Sequence, residues 1–285
     1  MIDRGIALFK GRKLLIATKH QKESVIAPVL EKELGVHCFV NDAFDTDSLG
    51  TFTGEIERKL DPISTVREKC LQAMDASNCD LAVASEGSFG SHPSLYFVTA
   101  DDEFLIFIDR KHNLEILVRE LSTSTNFDGK QIHNDRELRD FASQAHFPSH
   151  GLILRKSKDD HADIVKGLTD EVSLLDSFNF LITKHGSAYV ETDMRAMYNP
   201  MRMSVIEKAA TQLVEKVKSC CPQCQIPGFG VTDVQKGLPC GLCGMPTNST
   251  LSFIYSCKQC SFTAEEMHPN QKTVEDPMYC DNCNP

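Results

Sequence analysis

Leu81 to Gly90 reads L-A-V-A-S-E-G-S-F-G, a short apolar run that stops at a carboxylate set among small residues. Four apolar or small residues in succession predict a strand buried on both faces, and Gly87, Ser88 and Gly90 predict a turn at its carboxyl end. In open α/β sheets ligands sit beyond that end. Glu86 is therefore the first candidate functional residue, with a solvated loop acid as the competing reading. Upstream, Gly5 to Phe9 and Lys13 to Thr18 read as two short strands joined at Lys10-Gly-Arg12. Gln21 to Leu34 places Val25, Ile26, Val29, Leu30 and Leu34 at helical spacing, with Glu23, Glu31, Lys32 and Glu33 on the other face. Val36 to Val40 is again apolar, so the opening predicts a βαβ unit with parallel strands.

Downstream, Asn41 to Asp61 is a long polar connection, and Ser64 to Ala76 predicts the helix that leads into the Leu81 strand. Phe104 to Ile108 and Leu114 to Val118 predict two more strands, and Leu121 to Asn134 reads as a loop. Asn134 or Asp135 caps a helix to about Ala145. Gly151 to Leu154 and Ser187 to Val190 predict strands around a helix from Thr169 to about Thr183. Asn199-Pro200 opens a helix to about Ser219, with proline at its first position. The fold class expected is α/β: residues 1–219 form a three-layer mixed sheet with helices on both faces, and 220–285 form a small β-rich zinc-ribbon module.

The chain has 285 residues and a net charge of -10, which argues against a general affinity for nucleic acid. No apolar run approaches the roughly 18 residues of a membrane span. Met1-Ile-Asp-Arg-Gly lacks the apolar core of a secretory signal. A cytoplasmic location without membrane association is the expectation.

Nine of the 12 cysteines lie between Cys220 and Cys283, and eight form pairs: Cys221 and Cys224, Cys240 and Cys243, Cys257 and Cys260, Cys280 and Cys283. A two-residue spacer lets both thiolates of one turn reach a single tetrahedral Zn²⁺ at about 2.3 Å. Eight ligands make two structural zinc sites, which replace the core that so short a tail cannot build. Adjacent, crossed and nested pairings all satisfy the count. The ribbon-like spacing from Cys240 to Cys260 favours the nested one, with the outer knuckles closing the second site. Without a basic face, the tail suits a protein partner or packing better than DNA reading.

Ala84 to Gly90 (A-S-E-G-S-F-G), Glu191 to Ala196 (E-T-D-M-R-A), Asn199 to Arg202 (N-P-M-R) and the four cysteine pairs resemble a family of bacterial proteins of unassigned function. Residues 13 to about 218 also resemble, more distantly, the house-cleaning nucleotide pyrophosphatases, the inosine triphosphate pyrophosphatase, Maf-like and non-canonical purine phosphatase group. The similarity lies in A-T-x-H-x-K opening a helix, Gly50 to Phe52, a helix with Thr65 and Lys69, a strand ending in Glu86, and a late arginine. It implies a triphosphate-binding loop and acids that hold Mg²⁺. His20 stands where that group has asparagine, and Lys22 comes one residue early, so the phosphate loop does not carry over intact.

Thr18, Lys19, His20 and Lys22 lie between a strand and the first turn of a helix, where free N–H groups and cations favour an anion. An ordinary basic loop is the alternative. Asp45, Asp47, Glu55, Glu86, Asp109, Glu191 and Asp193 are candidate carboxylates, of which a hard cation needs one or two. Glu86, Asp109 and Glu191 are the catalytic candidates, and Thr18, His20, Lys22, Ser88, Arg195 and Arg202 the substrate-binding ones. Together they suit a Mg²⁺-dependent phosphoanhydride hydrolase acting on a nucleotide or other phosphorylated small molecule. The alternative is a non-catalytic ligand-binding protein whose zinc ribbon docks a partner.

Overall fold

The computed structural model describes residues 7–41 and 60–285. The chain divides into two compact units, Lys10–Val214 and a second that contains Glu215–Pro285.

The larger unit opens with β1 (Lys13–Ala17), α1 (Glu23–Leu34) and β2 (His37–Phe39), and β2 pairs parallel to β1 as the apolar pattern predicts. The expected strand at Gly5 to Phe9 is not seen where it can be followed: Ala7 ends a helix and Leu8 and Phe9 lie in a turn. α2 (Pro62–Ala76), capped by the Asp61 carboxylate, leads into β3 (Leu81–Ser91). β3 lies parallel to β1 on its other side, and β4 (Thr99–Asp109) and β5 (Leu114–Ser122) extend the sheet antiparallel. The order is β2-β1-β3-β4-β5. The steps from β1 to β2 and from β2 to β3 go in opposite directions along the sheet, an arrangement in which the right-handed rule for parallel connections puts α1 and α2 on opposite faces. Val66, Cys70, Ala73 and Met74 of α2 pack on Leu15, Ala17, Ala82, Ala84, Phe104 and Ile106.

β3 does not stop at Glu86. It runs on through Gly87, Ser88 and Gly90 to Ser91, paired residue for residue with β4 as far as Ser91 opposite Thr99. The antiparallel partner satisfies the backbone groups that an isolated turn would leave to water, which overrides the turn propensity of the glycines.

A second sheet, separate from the first, has the order β6-β9-β7-β8, all antiparallel. Its strands are β6 (Gly129–Ile132), β7 (Leu152–Arg155), β8 (Val165–Leu168) and β9 (Ala188–Thr192). α3 (Asp135–Gln144), capped by Asn134, and α4 (Glu171–His185), capped by Asp170, bury Leu138, Phe141, Leu174, Phe178 and Leu181 against Leu152, Leu154, Ala188 and Val190. β6 falls within the expected 121–134 loop. Four residues with one large apolar side chain, Ile132, carry too little pattern to mark a strand, and pairing with β9 makes it one. β8, also short, is unmarked for the same reason. α5 (Pro200–Lys218) closes the unit, with Asn199 Oδ1 accepting from Arg202 N at 3.0 Å.

In the smaller unit, β10 (Gly230–Lys236), β11 (Thr250–Ser256) and β12 (Thr263–Met267) form an antiparallel sheet. No helix among the described residues is long and apolar enough to cross a membrane.

Candidate functional site

The strand order 2-1-3-4 makes the carboxyl end of β1, beside β3, a topological switch point, where the chain leaves β1 toward β2 and β3 toward β4, in opposite directions along the sheet. After β1, His20 and Gln21 both adopt left-handed backbone (φ 66° and 61°) and turn the chain so that Lys22 stands at the start of α1. Lys22 Nζ donates to Ser85 Oγ at 3.1 Å. Lys69, from α2 on the other face, reaches the same residue: its Nζ lies 3.4 Å from the Ser85 carbonyl and 2.5 Å from Glu86 Oε2. Two buried ammonium groups thus meet at Ser85 from opposite sides of the sheet, and Glu86 is bound to one of them.

Side chains alternate along β3 and β4, so Ser85, Gly87 and Phe89 share a face with Leu105, Glu103 and Asp101, which stand opposite them. Arg202, from the first turn of α5, enters on that face. Its Nε donates to Glu103 Oε1 at 2.6 Å, and a second N–H donates to the Met194 carbonyl. A Cβ at position 87 would strike both the Arg202 guanidinium and the Glu103 carboxylate. Glycine is required there for close approach, not for its φ. The Arg202 guanidinium also lies 4.8 Å from the centre of the Phe89 ring. Asp101 and Glu103 are fully buried, and among the described residues neither Asp101 oxygen nor Glu103 Oε2 has a hydrogen-bond partner.

Burial, then the nearby Arg202, pulls Lys22 down to about 8. Burial, then Glu103, pushes Asp101 up to about 8. Groups on different elements that shift one another are close in space, and clusters of this kind mark functional sites.

Of the residues singled out from sequence, Lys22, Glu86 and Arg202 are brought to this one end of the sheet. Thr18 is buried one position beyond the Ala17–Ala84 pair and donates to the Lys19 carbonyl. Ser88 is half-buried opposite Asp102. Arg195 is held away from them by Asp193, with NH2 to Oδ2 at 2.6 Å, and lies over the Tyr198 ring. Asp109 is not beside Glu86. It pairs with Leu81 at the far end of β3, about 17 Å along the strand at roughly 3.3 Å per residue. Both its oxygens are taken by Arg12, at 2.6 and 2.8 Å, and His112 adds a further contact at 2.7 Å. Glu191 lies on β9 in the other sheet, bound to Arg155 at 2.8 Å. Asp45, Asp47, Glu55 and the Gly50 to Phe52 motif lie outside the described residues.

Lys69, Ser85, Asp101 and Glu103 escaped the sequence-derived site. A faint signal exists for the acids: Thr99 to Ile108 reads T-A-D-D-E-F-L-I-F-I, with acids two residues apart on the face that later carries Leu105 and Phe107. For Lys69 it is a cation on the apolar stripe of α2 beside Val66 and Cys70, at a position the nucleotide-pyrophosphatase resemblance already included.

The eight paired cysteines form two groups, Cys221, Cys224, Cys257 and Cys260, and Cys240, Cys243, Cys280 and Cys283, each able to hold a metal ion. The arrangement is crossed, not nested. Antiparallel pairing of β10 with β11 sets Gly230 opposite Ser256, so the knuckle before β10 meets the knuckle directly after β11. Lys236 pairs with Thr250 at the other end, where the Cys240 knuckle lies between the two strands. β12 ends there too, Met267 opposite Ser252, and the chain continues from that end to Cys280. The Sγ separations are 3.7 and 3.6 Å in the first group and 3.8 and 3.6 Å in the second. Four sulfurs about 2.3 Å from a shared ion stand about 3.8 Å apart at the corners of a tetrahedron.

A mixed α/β fold with a cysteine-rich module able to hold metal defines the general class. The chain belongs to the family of the domain of unknown function DUF6671, whose model matches residues 69–285. That range contains Lys69, Glu86, Asp101, Glu103, Arg202 and all eight paired cysteines, whereas Thr18 to Lys22 precede it. No curated protein matches the chain.

Proposed function

We propose that the protein is a Mg²⁺-dependent hydrolase of a phosphoanhydride, acting on a nucleotide or another phosphorylated small molecule, and that two structural zinc ions order its cysteine-rich unit. The observation that carries this reading is the meeting of Lys22 and Lys69 at Ser85, beside Glu86, at the switch point of the sheet. Two desolvated ammonium groups and the start of α1 suit a polyphosphate. Buried carboxylates within the same cluster suit a hard cation with oxygen ligands. The distant resemblance to the inosine triphosphate pyrophosphatase and Maf-like group points the same way, since Lys69 and Glu86 are among the residues that carry it.

A bound Mg²⁺ would neutralise developing charge and lower the pKa of a water molecule. Lys22 and Lys69 hold the phosphates, and the Lys69 contact fixes the Glu86 carboxylate on a rigid strand. Glu86→Gln keeps the shape of the side chain and removes its charge. Phosphate or pyrophosphate release from canonical and damaged nucleoside triphosphates, measured with Mg²⁺, should fall by roughly a hundredfold in this variant. Equal rates would remove Glu86 from the mechanism, and no release from any substrate by the parent protein would overturn the hydrolase.

Zinc is favoured by all-thiolate donor sets of tetrahedral size, and reduced thiolate pairs suit the cytoplasm. A second reading, a ligand-binding protein whose metal module docks a partner, is favoured by Leu242, Met245, Met278 and Tyr279, exposed on the knuckle segments of the second group. Thermal stabilisation by a metabolite without turnover would select it.

A further inference from the structure

The site contains three buried cations, Lys22, Lys69 and Arg202, and three buried acids, Glu86, Asp101 and Glu103. Lys69 satisfies Glu86, and Arg202 satisfies one oxygen of Glu103. Three acceptor oxygens are left over, both of Asp101 and Oε2 of Glu103, buried and with no hydrogen-bond partner among the described residues. Among the described residues, the side-chain hydrogen bonds of Lys22 go to Ser85, and those of Lys69 to Ser85 and Glu86. Leaving buried carboxylate oxygens unpaired is costly, and native structures keep such groups where something else completes them.

The tally decides what that something is. A bare divalent cation would gain Asp101 and Glu103 but would be repelled by Lys22 and Arg202, which face the same acids. A bare phosphate would gain the lysines but would be repelled by Glu103, and by Asp101 once it ionises. A cation and a phosphate bound together satisfy both sets, because each screens the other from its like charges. Asp101 and Glu103 lie two residues apart on one strand face, a spacing of about 7 Å between Cα atoms that brings both carboxylates to one ion. Gly87, opposite Glu103, lets the Arg202 guanidinium and the Glu103 carboxylate lie close against the strand.

We infer that the site takes a divalent cation and a phosphate as one unit, the cation on Asp101 and Glu103 and the phosphate on Lys22 and Lys69. This deepens the hydrolase reading and rests on it only for the identity of the substrate. It also places the cation on the opposite face of β3 from Glu86. Glu86 is then the acid beside the phosphate and not the principal ligand of the metal.

Calorimetric titration of the full, zinc-loaded chain tests this with inorganic pyrophosphate alone and with its preformed Mn²⁺ complex. The complex should bind about tenfold more tightly than pyrophosphate alone, the scale of an ordinary coupling between two ligands. Asp101→Asn should remove that preference and leave pyrophosphate alone no weaker. Glu103→Gln provides a second variant, and Glu86→Gln should keep the preference. Equal affinities in the parent protein, binding of neither probe, or a preference that survives Asp101→Asn would overturn the assignment. Loss of the preference in Glu86→Gln and not in Asp101→Asn would move the cation to Glu86. Phosphoanhydride cleavage without the preference would sink this inference alone, whereas the preference without cleavage of any nucleotide would sink the hydrolase and leave the joint site standing.

Discussion

The Lys22 ammonium donates to the Ser85 hydroxyl at 3.1 Å, and that bond ties the start of α1 to the middle of β3 across the point where the sheet reverses direction. Lys22 follows β1 in the chain, whereas Ser85 is reached only after the second crossover. The bond exists because β1 and β3 are neighbours in the sheet, with Ala17 opposite Ala84. Ser85→Ala removes the side-chain acceptor that buried Lys22 has among the described residues. It should lower stability by about 1 to 3 kcal/mol, read from chemical denaturation, and weaken pyrophosphate binding as Lys22 loses its anchor.

Gly87→Ala should be more damaging than its size suggests. The new methyl would occupy space held by the Arg202 guanidinium and the Glu103 carboxylate, and their ion pair would have to move. A loss of roughly 1 to 3 kcal/mol in urea denaturation is expected from overpacking, with tighter losses in ligand binding than at Gly90. A Cβ at Gly90 meets nothing within 4 Å, so Gly90→Ala is the matched control.

Asp101 makes stability depend on pH at the site. Its pKa is raised to about 8, first by burial and then by Glu103. Between about pH 4, where the carboxyl of an unfolded chain ionises, and pH 8, the folded protein keeps a proton that the unfolded chain loses. Stability contributed by the protonated acid is therefore whole below that window and falls as pH rises through it. Without added divalent metal, Asp101→Asn should flatten this slope. Parallel wild-type and variant profiles from pH 5 to 8 would contradict it.

Asp109 works in the opposite sense and away from the site. Burial alone would raise its pKa, but the hydrogen bonds from Arg12 and His112 outweigh burial and hold it below the usual carboxylate range. Its contribution is present above the unfolded pKa and is lost as pH falls through the folded one. Asp109→Asn should cost roughly 3 kcal/mol, the scale of breaking a buried ion pair, and should blunt the acid limb of the stability profile. Binding of the Mn²⁺ pyrophosphate complex should be unchanged. A selective loss of that binding would return Asp109 to the site.

The crossed cysteine groups give a stoichiometric test. Elemental analysis should find two zinc ions per chain. Replacing Cys224 and Cys257 by serine removes ligands from one group and should cost one ion, whereas replacing Cys224 and Cys243 touches both groups and should cost two. A nested pairing predicts the reverse for a third variant: Cys243 with Cys257 would share a site and lose one ion, but here they lie in different groups and should lose two.

Local chemistry was sufficient for much of this molecule. The helical stripes of α1 and α5, the cap Asn134, the parallel start of the sheet and the eight paired thiolates are all consequences of spacing along the chain. A two-residue spacer between cysteines makes a knuckle wherever the chain goes, and an apolar stripe at helical period must be buried whatever it meets. Lys22, Glu86 and Arg202 could also be chosen from sequence, Lys22 and Arg202 because each stands at the start of a helix and Glu86 because it is the carboxylate that ends an apolar run.

What sequence left open was every relationship between distant segments. Turn-forming Gly87 and Ser88 became mid-strand residues because β4 pairs with them. Asp109 and Glu191 looked equivalent to Glu86 as acids near strand ends, but antiparallel register put one at the far end of β3 and the division into two sheets put the other on β9. Asp101 and Glu103 were unremarkable acids until burial removed water from their oxygens. Ribbon-like spacing favoured a nested metal pairing and the groups are crossed, for the same reason: spacing along the chain does not say which knuckles meet. The β10–β11 register supplied the pairing, because antiparallel strands bring the start of one to the end of the other. Spacing acts within a few residues, whereas register and burial are properties of the assembled sheet, so only the tertiary structure decided which charges meet.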